Sequence, residues 1–315
     1  MDERTRLETL LARFELTPYR DEILALGSPC ISMALVDPPS VPEPDLPPVA
    51  IGHSKVGGDP DLPPGVAWPA DEQGRAGFFL QIALADLPVA PWNPLPASGM
   101  CYLFCHDDSR PFWDPPGWEV VWWQGNPGEL QRRKPEPDLL NSWVGENSFF
   151  TTSVARPLTF RAGTDFPPGS SQDWEFVNDL ERRTRDSDPD VLDRYFEFVL
   201  QAADPGVDAD RARGRGPYFH PIGRLLGHTD PTQRENMALL GRGAMEKLRD
   251  SEWRREHRQE LAKEGAAWRQ FLRLEANSAT RYMGPCDASP VFVIARDEGL
   301  RPWMPLRAVV DPAAK

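Results

Sequence analysis

The chain has 315 residues, 40% hydrophobic and 26% charged, a balance suited to a packed core and unlike that of fibrous or disordered proteins. Asp and Glu number 48 against 35 Lys and Arg, and the net charge of −13 repels phosphate backbones, which excludes nucleic acid as the expected partner. A basic protein is the better electrostatic match. No apolar run approaches the roughly 20 residues of a membrane span. The mixed-charge start Met1-Asp-Glu-Arg-Thr-Arg-Leu7 lacks a signal-peptide core, so the expected location is the cytoplasm, away from the membrane.

Leu7, Leu10, Leu11 and Phe14 fall at helical spacing and predict a short amphipathic helix at the start. Strands are predicted at Ile31 to Leu35, Phe78 to Leu84, Met100 to Cys105, Val120 to Trp123 and Val154 to Arg161. In the second of these, strict alternation puts Phe78, Leu80, Ile82 and Leu84 on one face and Phe79, Gln81 and Ala83 on the other. Proline, at 35 residues about twice its usual share, stiffens the connections, above all Pro38 to Pro48, Pro88 to Pro96 and Pro111 to Pro127.

From about residue 172 the pattern turns helical. Asp173 to Arg185 and Pro189 to Ala203 read as helices, the latter with Asp188 as cap and Pro189 in the first turn. A further helix is predicted from Pro231 to Leu248, and a mostly solvated one from Glu252 to Glu264. Strands return at Ala267 to Glu275, Val291 to Ala295 and Leu306 to Val310.

The two halves echo each other. Gly57-Gly-Asp-Pro60 precedes Phe79-Leu-Gln-Ile82 as Gly227-His-Thr-Asp-Pro231 precedes Phe271-Leu-Arg-Leu274. The expected fold is α+β: mostly antiparallel sheet, helices inserted mainly in the second half, and a pseudo-duplication. The expected organisation is an N-terminal helical segment (1–28) and one α+β domain (29–315). Its halves are about 29–165 and 215–312, with a helical insertion at about 172–204.

Ser54-Lys55, Gly57-Gly58, Pro60, Leu62-Pro63, Trp68-Pro69, the Phe79-Leu80-Gln81-Ile82 strand, Pro96, Gly99 and the aromatic strand Tyr102 to Phe104 form one extended pattern. His220 to Gln233 and Trp268 to Leu274 continue it. In these residues the chain resembles the YwqG family, a bacterial domain of unknown function. Ala288-Ser-Pro-Val-Phe-Val-Ile294 departs from that family's Gly-x-Leu-Tyr-Phe-Phe-Ile. The resemblance carries over no catalytic residue; it implies a non-catalytic factor, of immunity type or regulatory.

The candidate ligand-binding residues are Lys55, Gly57, Gly58, Asp59, Gln81, His220, His228 and Gln233. Gly57-Gly58 has the freedom to form an anion nest, although the prolines after it remove donors and no Walker-type Gly-Lys-Ser/Thr follows. Asp59 and Asp61 lack the remaining oxygen ligands of a calcium loop. Gln233 also fits a helix start, three residues after a capping Asp230. His220 and His228 are candidates for a general base or a metal ligand. Cys101 and Cys105 lie about 13 Å apart along a strand, too far for one disulfide or one zinc. Neither metal nor cofactor is expected. Two readings follow: a non-catalytic binding protein for a basic partner, or a small-ligand binder or hydrolase-like enzyme with its site between the Gly57-Gly58 and His220–His228 loops.

Overall fold

Asp2 opens the first helix, its carboxylate accepting the Thr5 amide hydrogen. The computed structural model describes residues 2–36, 47–71, 74–105, 118–134, 154–167, 174–206, 222–228, 237–239, 247, 250–274, 291–296 and 307–310. Helices α1 (Glu3–Arg13) and α2 (Arg20–Ala25) lead into strand β1 (Ser28–Leu35). There follow β2 (Lys55–Val56), β3 (Asp61–Leu62), β4 (Ala70–Asp71), β5 (Gly74–Arg75), β6 (Gly77–Ala83), β7 (Met100–Cys105), β8 (Trp118–Trp123), β9 (Gln131–Arg132) and β10 (Arg156–Asp165). Helices α3 (Trp174–Thr184) and α4 (Val191–Ala203) separate β10 from β11 (Gly223–Leu226). The described chain ends with α5 (Ser251–Glu256), α6 (Arg258–Gly265), β12 (Trp268–Leu274), β13 (Val291–Arg296) and β14 (Arg307–Val310).

Among the described residues, ten strands form one sheet in the order β14-β13-β12-β11-β1-β10-β2-β6-β7-β8. Every pairing in it is antiparallel. The two outermost strands, β8 and β14, approach one another, so the sheet curls around its own inner face. That face buries Ile31, Met33, Leu80, Leu103, Leu225 and Leu272 in one cluster, and Trp122 meets Phe271 edge-on at 5.7 Å. On the outer face α1, α3 and α4 pack around Phe166, Tyr195 and Phe198. Gly163 permits the close approach of α4: a Cβ there would lie 2.2 Å from the Ala203 carbonyl oxygen. The fold is α+β, with helices concentrated between β10 and β12.

The flanks of the sheet repeat one pattern. β1, β2, β6, β7 and β8 correspond in order to β10, β11, β12, β13 and β14, with the leading strands exchanged: β1 pairs with β11 and β10 with β2. A bulge falls at Phe79 in β6 and at Phe271 in β12. Leu80 faces Val56 as Leu272 faces Leu225, which makes Arg224 the counterpart of Lys55. Just after these pairs, Gly57 and Gly58 (φ 71° and 67°) match Leu226 and Gly227 (φ 61° and 85°). Gly227 is thus the counterpart of Gly58, one residue from the alignment that the sequences suggest.

Three sequence expectations need correction. The bulge at Phe79 breaks the two-residue alternation, so Phe78 joins a second cluster with Ala83, Tyr102 and Phe104 while Phe79 packs inward with Leu80 and Ile82. Asp188 does not cap α4, which starts at Val191; its carboxylate pairs instead with Arg194. The charged segment after Glu252 is two helices, broken at His257. Of the helix expected from Pro231 to Leu248, residues 237–239 and 247 are described, all helical, and the rest lies outside the described residues. Among the described residues no helix is long and apolar enough to cross a membrane.

Gly58 and Gly65 separate two costs. Both have positive φ, but a Cβ at Gly58 would lie 2.7 Å from Ala155 Cβ, and at Gly65 it meets nothing within 4 Å. Gly65→Ala is expected to lose about 1–2 kcal/mol from the left-handed backbone alone. Gly58→Ala should lose at least about 1 kcal/mol more through steric conflict. Equal urea midpoints for the two variants would contradict this.

Candidate functional site

Lys55 sits on β2 opposite Gln81 of β6, and the positive-φ glycines that follow fold the chain back over the outer face of the sheet. Gly57 commits its amide hydrogen to the Phe79 carbonyl at 2.8 Å, so that donor is not available to an anion. The returning segment delivers Asp61, which pairs in β3 with Arg132 of β9. Lys55, Asp61, Gln81 and Tyr102 all have 0% exposure.

Asp61 is the hub of this cluster. Its Oδ2 accepts hydrogen bonds from Lys55 Nζ at 3.0 Å, Gln81 Nε2 at 2.8 Å and the Gly52 amide at 3.1 Å. Its Oδ1 accepts from Arg132 Nε at 2.9 Å. The Asp61 amide donates to Gln81 Oε1 at 2.9 Å, and its carbonyl accepts from the Tyr102 hydroxyl at 2.6 Å. Burial by itself would push the Asp61 carboxyl up, but Arg132, Lys55 and Gln81 outweigh it and hold the group below the usual carboxylate range. Burial pulls the Lys55 ammonium below its ordinary value, against the opposing attraction of Asp61. Burial likewise raises the Tyr102 phenol, which stays neutral and donates.

The same cluster braces a strap, residues 49–54. Arg132 also donates to the Val49 carbonyl at 2.8 Å, and Gln81 Nε2 to the His53 carbonyl at 2.7 Å. Ser54 completes the attachment. Its amide donates to Asp86 Oδ2 at 2.8 Å, its hydroxyl accepts from the Ala83 amide at 2.8 Å, and its carbonyl accepts from the Leu158 amide at 3.1 Å. Between strap and β10 lies a cleft of about 480 Å³, with Val49, Leu158 and Phe160 among its apolar walls. His53 and Asp86 line it as well, their side chains 61% and 27% exposed, with Nδ1 3.4 Å from Oδ1.

The second flank carries a related pair at its matching position. Arg224 meets Asp165, whose other oxygen accepts the His228 amide at 2.8 Å. The His228 ring is tied by Nε2 to the Leu26 carbonyl. A Cβ on Gly227 would strike Asp165, at the end of β10, whereas Gly58 lies against Ala155, just before its start. Ten residues of strand put the two loops about 30 Å apart, so Lys55, Gly57, Gly58 and Gln81 are gathered together and His228 stands apart from them. Asp59 is half-buried beside the cluster and takes none of its hydrogen bonds. His220 and Gln233 lie outside the described residues.

The free thiols of Cys30 and Cys101 are buried. Burial pushes Cys101 up to about 12, which leaves it protonated and unreactive. Among the described residues no three His, Cys, Asp or Glu side chains gather as a metal site. Sequence reasoning missed Asp61 as hub, together with Arg132, Ser54, His53 and Asp86. One signal was present: Lys55 and Gln81 are polar residues in segments otherwise built for burial, and buried polar groups require partners.

Truncating the hub and truncating its partner differ in what they leave behind. Asp61→Ala strands the buried Lys55 ammonium and is expected to lower unfolding free energy by about 3–5 kcal/mol. Lys55→Met should cost less, since Arg132, Gln81 and Gly52 still meet the carboxylate; denaturant titration with a larger loss for Lys55→Met would contradict the assignment. The depressed carboxyl of Asp61 also fixes a pH dependence. Its stabilisation is complete above the unfolded value of about 3.9 and is lost as pH falls through the lower folded value. Asp61→Asn should therefore flatten the decline in stability below about pH 4, measured as urea midpoint against pH.

A family model described as "Domain of unknown function (DUF1963)" matches residues 54–298. No curated protein matches the chain. The matched span opens at Ser54, the residue that joins β6, β10 and Asp86, and includes the whole Asp61 cluster except its ties to Val49, Gly52 and His53. With most of its length inside that match, the chain belongs to the DUF1963 family of domains of unknown function.

Proposed function

We propose that this protein is a non-catalytic, YwqG-like binding protein of the cytoplasm, an immunity-type or regulatory factor that engages a basic protein partner. One observation carries the reading. Lys55 and Gln81 of the sequence signature hold Asp61 in a buried cluster, Ser54 of the same signature ties the chain to Ala83 and Asp86, and together these contacts fix the strap walling an open cleft. Groups so fully engaged serve as scaffold for a surface. The net charge of −13 and the partly exposed Asp86 carboxylate in the cleft favour a cationic partner.

Affinity capture with the full chain from its native host tests the reading. A basic protein should be retained at physiological salt and released as salt is raised, because screening weakens contacts between exposed charges. Recovery of no basic partner at physiological salt would overturn it.

A further inference from the structure

We infer that the outer edge of β10 at Phe160 and Ala162 is a strand-addition site, taking an extended segment of a basic protein. The inference rests on the binding reading above and names its contact surface. Val36 donates its amide hydrogen to the Pro157 carbonyl at 3.0 Å, on the β1 side, whereas the Leu158 amide reaches away from β1 to the Ser54 carbonyl. Antiparallel ladders alternate, so Phe160, facing Met33, and Ala162, facing Ile31, also turn their N–H and C=O groups away from β1. On that side β2 covers only Arg156 and Pro157, and past Ser54 the chain leaves the sheet as the strap. Among the described residues no strand continues β2 along β10. The backbone at Phe160 therefore faces the cleft, which Thr159 and Phe160 help to line.

An unpaired strand edge is a template for one more strand. Backbone hydrogen bonds would supply the affinity and the cleft walls the side-chain preference. The walls specify an alternating segment. Val49, Leu158 and Phe160 offer apolar contact, and Asp86 is the acidic side chain among the lining residues, which include no Lys or Arg. The strap opposite is fixed to the buried Asp61 cluster at Gly52, at His53 and, through Arg132, at Val49, so the groove exists before a partner arrives.

The test uses the full-length protein and three synthetic eight-residue peptides: alternating Lys-Val, the same peptide N-methylated at every second residue, and alternating Glu-Val. At saturation the Lys-Val peptide should slow amide exchange at Phe160 and Ala162 by about tenfold or more. The N-methylated peptide, which keeps the charges and loses the edge donors, and the Glu-Val peptide should leave exchange unchanged. Asp86→Asn keeps an oxygen for the Ser54 amide and removes the charge, and should weaken Lys-Val binding several-fold. Unchanged exchange at Phe160 and Ala162 with saturating Lys-Val peptide, or equal protection by its N-methylated form, overturns the edge assignment. A captured basic partner that leaves this exchange unchanged overturns the edge assignment and leaves the binding reading standing.

Discussion

A carboxylate stripped of water has to be met by donors, and Asp61 is met by Lys55, Gln81, Arg132 and the Gly52 amide. Two of these donors are close in the chain, on the strap and β2, while β6 and β9 supply theirs from 20 and 71 residues away. The ionised carboxylate stays buried because several donors share it, whereas an isolated charge in the interior costs several kcal/mol. The cluster therefore acts as a condition on the local fold: the return of the chain over the sheet, the β3–β9 pair and the strap stand or fall together. Tyr102 extends the condition to β7 through the Asp61 carbonyl.

The two flanks solve one problem with different chemistry. Each places a cation at the same point, Lys55 on β2 and Arg224 on β11, just before a positive-φ pair. In the first flank the anion comes from the returning loop. In the second it comes from Asp165 at the end of β10, which also takes the His228 amide. Local backbone geometry has been kept, even at Leu226, which holds φ 61° without being glycine. The side-chain partners differ because what covers each flank differs: a strap and short strands over one, helices packed through Gly163 over the middle.

β10 links these arrangements. Its start pairs with β2 beside the Asp61 cluster, its middle borders the cleft, and its end carries Asp165. Because β2 is only two residues long, the sheet opens between β10 and β6, and the strap crosses near that opening without filling it. The cleft is thus a consequence of the early departure of the chain at Ser54, fixed there by Asp86, Ala83 and Leu158.

Much of this was legible in the residues. The strand from Met100 to Cys105 and the helix through Val191 to Ala203 follow from hydrophobic period, and the glycines after Lys55 announce a turn. Periodicity failed where one inserted residue, Phe79, exchanged the faces of Phe78 and Phe79, since a bulge leaves no local mark in an apolar run. Gln81 stood out in the sequence as a polar residue that packing did not explain, but its partner, Asp61, lies 20 residues earlier and reads locally as a turn aspartate. His228 and the Gly57-Gly58 loop, linked by repeat similarity, proved to be related by the internal symmetry of the sheet, which sets equivalent loops at opposite ends of β10. The sequence by itself determined the α+β class, the order of the longer strands and helices and the polar residues that needed explanation, because period, turn chemistry and composition act over short range. Only the tertiary structure decided that those residues form a buried cluster behind an open strand edge, because partners for a buried charge are assigned by which distant strands become neighbours.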